Sequence, residues 1–99
     1  MFVVFVEYIK PLEVIDAHLA AHRQFLDEGY AKNAFLASGP QVPRTGGVIL
    51  SALSDRAELE ALLARDPFRL HEVATYKIIE FTPAKYHRDI AMLVEGSLP

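Results

Sequence analysis

Cysteine is absent from the 99 residues, which excludes disulfides, thiolate chemistry and Cys-ligated zinc. A basic surplus is absent too. Ten Lys and Arg against 13 Asp and Glu leave a formal net charge of −3, so nothing favours nucleic acid or an anionic membrane surface. No apolar run approaches the length of a membrane span. The apolar opening, Met1 to Val6, is short and lacks a basic leader, so it reads as a strand and not as a signal peptide. Repeats, linkers and low-complexity segments are also missing. The expectation is one soluble, cytoplasmic domain. Its 52% hydrophobic residues exceed what a small sphere hides, so some of them should be covered by a partner.

What is present alternates between strand and helix signals. Phe2 to Ile9 is rich in aromatic and β-branched residues and precedes Pro11, the pattern of a first strand. Both of its faces are apolar, so both should be covered. Pro11 suits the first turn of a helix running to about Lys32, with Gly29 as a weak point and Asn33 as a left-handed end. Ala34 to Ser38 reads as a second strand broken by Gly39-Pro40, and Val48 to Leu53 as a third. Asp55 and Glu58 form a capping box for a helix from Arg56 to about Arg65, and Asp66-Pro67 stops it. Val73 to Phe81 reads as a fourth strand. Thr82-Pro83 then starts a short terminal helix with a stripe of Tyr86, Ile90 and Leu93. The order β-α-β-β-α-β with a tail reduces to an α+β, ferredoxin-like antiparallel sheet with both helices on one face. A second copy packed on the open sheet face is the simplest cover, which predicts a homodimer.

The first helix holds the most informative oddity. Counted at 100° per residue from Ile15, the side chains of Leu12, Ile15, Leu19, His22, Leu26 and Tyr30 fall within roughly 60° of one line. His22 therefore occupies a position where leucine is expected, and His18 lies on the flank of that stripe.

With the segments placed, the chain resembles the YciI-like (YCII-related) family. The matching features are His22, the strand and turn Ala34-Phe-Leu-Ala-Ser-Gly-Pro40, Gly46-Gly47, Asp66-Pro67-Phe68 and Tyr76 to Phe81. Their order and spacing cover about Met1 to Pro83, giving a domain over residues 1–83 and a helical tail over 84–99. Gly39-Pro40 as the anchor puts His22 at the family's histidine position, whereas Gly29 as the anchor would select His18. The resemblance implies a dimer of the α/β-barrel type and a pocket with a His–Asp pair. Similar proteins include a dehalogenase acting on a chlorinated muconolactone, and the first reading here is a reaction on a small carboxylated or lactone-like molecule.

The residues themselves allow that chemistry. A histidine that titrates near neutrality is the usual proton-transfer group, and a carboxylate that orients it fixes the tautomer. His22 and Asp66 lie on the two helical segments that pack side by side. The plainer alternative is a satisfied core histidine beside a helix-stopping Asp-Pro. Ser38, Gly39 and Arg44 border one loop, where a backbone approaches a ligand closely and a guanidinium clamps a carboxylate. A solvated hairpin connection fits the same residues. His18 is either structural or at the mouth of the pocket. Its i, i+4 relation to His22 lacks a third ligand, so no metal is expected. Ser38 has no nucleophile-elbow setting, Gly46-Gly47 is no phosphate cradle, and His71 and His87 read as surface residues. The expected function is a cofactor-independent lyase- or isomerase-type protein with His22 and Asp66 as catalytic pair. The alternative is a non-catalytic dimeric module that binds a small molecule or a protein.

Overall fold

The computed structural model describes residues 1–98. Four strands, β1 (Phe2–Tyr8), β2 (Phe35–Pro40), β3 (Gly46–Ser51) and β4 (Ala74–Glu80), form one antiparallel sheet in the order β2-β3-β1-β4. With the intervening helices, this is the ferredoxin-like α+β fold. The central strand β1 sets the layers because its side chains alternate across the sheet. Phe2, Val4 and Val6 are buried, whereas Val3 and Phe5 are only half-buried on the opposite face. The buried side joins Ile49, Ala74, Phe35 and the helical residues Ile15, Phe25, Leu59, Leu63 and Phe68 in one core. Each fully buried side chain of this size stabilises by roughly 1.5–3 kcal/mol before chain entropy is subtracted.

The first helical segment differs from the sequence expectation. It is two helices, α1 (Leu12–Ala17) and α2 (Leu19–Ala31), separated at His18, whose backbone (φ −108°, ψ 3°) leaves the helical region. A single angular frame therefore does not hold across both. Ile15 is buried but Leu12 is 43% exposed. Within α2 the buried line is His22, Phe25 and Gly29, displaced from the stripe read off the sequence. Gly29 has a packing reason: a Cβ there would lie 2.1 Å from the Phe35 ring, which rests against the helix from β2. Asn33 takes the expected left-handed conformation after the helix, at φ 58°.

Strand β2 runs through Gly39-Pro40 and does not break before them. It is an edge strand, where a proline's missing N–H faces no neighbour, and Pro40 pairs with Gly47. A register shift between Phe35 and Ala37 inserts a bulge. The extra residue lets Phe35 and Ser38, three apart in sequence, both face the helices, which strict alternation forbids. The third strand begins at Gly46, two residues earlier than expected, because that glycine passes close to β1: a Cβ would meet the Val6 carbonyl oxygen at 2.0 Å.

Helix α3 (Arg56–Leu63) is capped by Asp55, which accepts from the Ala57 amide. Asp66-Pro67 ends it, as expected, and also starts α4 (Pro67–Leu70), a single turn that the sequence pattern did not reveal. The terminal helix α5 (Ala91–Gly96) begins much later than Thr82-Pro83. A 3-10 turn at Arg88–Ile90 precedes it, with the His87 ring accepting from the Asp89 amide. Its phase is set by Val94, which is 1% exposed, whereas Tyr86, Ile90 and Leu93 of the expected stripe keep 37%, 42% and 42% of their surface exposed.

Candidate functional site

The geometry of the site starts from Asp66. Its β-region backbone places the side chain over the first turn of α4, and Oδ1 accepts from the Phe68 amide at 3.0 Å, the ordinary role of an aspartate at a helix start. The same oxygen lies 2.8 Å from His22 Nδ1, while Oδ2 accepts from the Tyr76 hydroxyl at 2.6 Å. Asp66 has no exposed surface. Three donors from three elements thus converge on one buried carboxylate and leave neither of its oxygens without a partner.

His22 comes from α2 and is 9% exposed. Its ring lies flat on Phe68, with centroids 3.9 Å apart and planes 5° from parallel. With Asp66 as a carboxylate, Nδ1 is the donor and the proton-accepting lone pair belongs to Nε2. Nε2 makes no hydrogen bond among the described residues, and no buried polar side-chain atom among them lacks a partner. Nε2 is therefore open to solvent. His22 and Phe68 line a cavity of about 640 Å³ together with Tyr8, Leu26, Ile49 and Val6. This volume is in the range of small-molecule sites, roughly 300–1,000 Å³.

Polar groups stand around the rest of that cavity. Tyr30 and Ser38, both on its wall, share a 2.6 Å hydroxyl–hydroxyl contact. Gly39 and Pro40 contribute the edge strand, and Arg44 the loop between β2 and β3. Arg44 is bound to Asp16 of α1 and lies 6.0 Å above the Tyr8 ring. The hydrogen bond with Arg44 holds the exposed Asp16 carboxyl below the usual carboxylate range and pushes Arg44 up in turn. Burial, then the charge of Asp66, push the Tyr76 hydroxyl far above the tyrosine range. It stays a donor to Asp66 across the physiological range.

The structure thus brings His22, Asp66, Ser38, Gly39 and Arg44 to one place. His18 is elsewhere: it stacks on His71 at 4.1 Å, at the break between α1 and α2, and does not line the cavity. His87 is exposed in the tail. No group of three metal-ligating side chains lies close enough to hold an ion among the described residues. Four contributors, Tyr76, Phe68, Arg23 and Asp27, were assigned no role from the sequence. Tyr76 and Phe68 entered the sequence reading only within the motifs Asp66-Pro67-Phe68 and Tyr76 to Phe81. Their position next to the Asp66 carboxylate depends on the packing of α4 against β4. Arg23 and Asp27 also border the cavity, and the signal for them was available. Leu19, His22, Leu26 and Tyr30 of the predicted stripe form the cavity wall of α2, and Arg23 and Asp27 directly follow His22 and Leu26 on that helix.

A family model, the YCII-related domain, matches residues 1–82. No curated protein matches the chain significantly. Among solved structures, a 5-chloro-2-hydroxyhydroquinone dehydrochlorinase from Burkholderia phenoliruptrix AC1100, in complex with 2,5-dihydroxybenzoquinone, superposes with a TM-score of 0.69. The alignment covers 90% of this chain and 98% of that chain at 18% identity, a likeness of fold. No helix among the described residues is long and apolar enough to cross a membrane.

Proposed function

The chain belongs to the family of YCII-related domains, and from that premise we propose that it is a small, cofactor-independent enzyme that moves a proton on a small oxygenated molecule. His22 Nε2 acts as the base. It takes a proton from carbon or oxygen of a substrate in the cavity and returns it at a second position in an isomerase reaction. In a lyase reaction the electron pair left behind expels a leaving group, and the proton leaves through solvent. Asp66 holds the ring in the productive tautomer and stabilises the imidazolium that forms. At about 4 Å and an effective dielectric near 20 the attraction is roughly 4 kcal/mol. The face of Phe68 adds a smaller cation–π contribution. Arg44, Ser38 and the backbone at Gly39 hold the oxygenated end.

One observation carries this reading: Nδ1 of His22 is committed to a buried carboxylate while Nε2 has no partner among the described residues and the residue lines the cavity. A histidine that serves packing alone has no need of an open lone pair next to a space of this size. The substrate class draws on the dehydrochlorinase neighbour, whose ligand is a hydroxylated ring, and on the polar wall described above. The test is a panel of hydroxylated aromatics, lactones and small carboxylic acids, incubated with wild type and His22→Ala and analysed by mass spectrometry. Turnover that disappears in the variant supports the base. Turnover that persists unchanged removes it.

A second reading follows from the pairing already present in the cavity. Tyr30 with Ser38 and Arg44 with Asp16 are satisfied without a ligand, as suits a module that binds a metabolite without transforming it. Binding of a panel member with no product supports this reading. In either case the half-buried Val3, Phe5, Val48 and Leu50 on the open sheet face argue for a second copy packed there. Sedimentation as a monomer at micromolar concentration would overturn the dimer.

A further inference from the structure

Arg23 follows His22 directly on α2 and lines the same cavity. Unlike Arg44, Arg56 and Arg65, which contact Asp16, Glu60 and Glu28, it forms no ion pair among the described residues. Asp27 lies one turn along and also borders the cavity, but it is not within ion-pair distance of Arg23. Arg23 nevertheless stands near enough to Asp16 to lower its carboxyl by charge. Asp16 is held by Arg44, and both guanidinium-bearing residues border the cavity that His22 lines. The hydroxyl pair of Tyr30 and Ser38 borders the same cavity two turns further along α2. From His22 to Tyr30 the helix rises roughly 12 Å, about the length of a substituted ring.

We infer that Arg23 is the anion-recognition residue of this cavity, selecting substrates that carry a carboxylate or an acidic ring oxygen beside the atom on which His22 acts. The inference rests on the proposed function only for the word substrate; the binding claim stands without turnover. Arg44 is poorly placed to do this alone, because a ligand anion must compete with Asp16 for its donors. Arg23 offers a planar fork of donors that is engaged in no ion pair among the described residues, the geometry that matches a carboxylate or a phenolate with its neighbouring oxygen. An anion at that position gains in two ways. It is bound before reaction, and any further negative charge that develops when Nε2 takes the proton grows beside a fixed cation. An uncharged isostere of the same shape loses both effects and leaves the guanidinium to water.

The experiment measures binding by NMR titration of the full chain with matched probes: 4-hydroxybenzoate, 2,4-dihydroxybenzoate and the corresponding benzamides. Wild type is expected to prefer acid over amide by roughly 10- to 100-fold, the scale of a charge-assisted hydrogen bond. Arg23→Gln should reduce that preference to near unity, and Arg23→Lys should restore part of it, since charge returns without the fork. Thermal unfolding of both variants should stay near wild type because the residue is exposed, which separates recognition from folding. A preference for acids that survives Arg23→Gln would overturn the assignment, as would failure of both acids to shift the resonances of the cavity. His22→Gln divides this claim from the proposed reaction. Loss of turnover with intact acid binding leaves both standing. Intact turnover there removes the base and leaves Arg23 untouched.

Discussion

Replacing Asp66 by asparagine separates the two tasks of its carboxylate, orienting His22 and balancing charge. Oδ1 accepts from both His22 Nδ1 and the Phe68 amide, and Oδ2 accepts only from the Tyr76 hydroxyl. A carboxamide with its oxygen in the Oδ1 position therefore keeps two of the three bonds. Its NH2 faces Tyr76, which turns its hydroxyl to accept and leaves one half-buried O–H without its partner. That loss costs about 1–2 kcal/mol, which lowers the melting temperature by roughly 4–8 °C per kcal/mol for a domain of this size. The tautomer of His22 should be unchanged, with the proton on Nδ1. What disappears is the negative charge beside the imidazolium, an attraction of about 4 kcal/mol at 4 Å and an effective dielectric near 20. Turnover should fall on the order of 10²–10³-fold. Long-range ¹⁵N–¹H correlation of the imidazole reads the tautomer in both proteins, and thermal melts read the stability. A wild-type histidine with its proton on Nε2 would refute the reasoning at its root, since Nδ1 would then face a carboxylate with no proton between them. A variant that melts like the wild type would show that Tyr76 contributes nothing through its hydroxyl.

Other consequences of the structure are open to test. Tyr76→Phe should flatten the alkaline end of the stability curve. The folded hydroxyl titrates above its usual value of 10.0, so above about pH 10 the unfolded chain releases a proton that the folded chain keeps. Wild-type stability should then fall by roughly 1.4 kcal/mol per pH unit relative to the variant, and parallel urea curves at pH 9 and pH 11 measure the difference. Gly46→Ala should destabilise by about 3 kcal/mol or more, because the new methyl meets the Val6 backbone at 2.0 Å and a backbone cannot turn aside. Gly39→Ala, with nothing within 4 Å, should stay within roughly 0.5 kcal/mol of wild type; equal midpoints for the two would contradict the packing at β1. Glu72 holds φ 54° just beyond the one-turn helix. Glu72→Gly should therefore raise stability by about 0.5–1 kcal/mol in urea denaturation, and a loss there would mean that the glutamate side chain makes a stabilising contact.

The primary sequence decided where the four strands and the two main helical stretches between them fall, and how they layer. The aromatic and β-branched run of Phe2 to Ile9, the Asp55 cap, Asn33 and Asp66-Pro67 act through neighbours a few residues away, so their signals survive without any knowledge of the fold. His22 was legible for the same reason: a polar ring interrupts a helical apolar line. What needed the third dimension are the features made by contacts distant along the chain. The break at His18 carries no proline or glycine, and it turns the stripe into a cavity wall with the true core line of His22, Phe25 and Gly29 beside it. The bulge after Phe35 exists only in the pairing of two strands, yet it carries Ser38 to the same face as Tyr30. Asp66 reads locally as a residue that stops one helix. Only packing gives it His22 and Tyr76 as partners, from residues 44 and 10 positions away. Local propensity fixes where segments start and stop, whereas the meeting of side chains depends on how layers settle against one another, and the site belongs to the second kind.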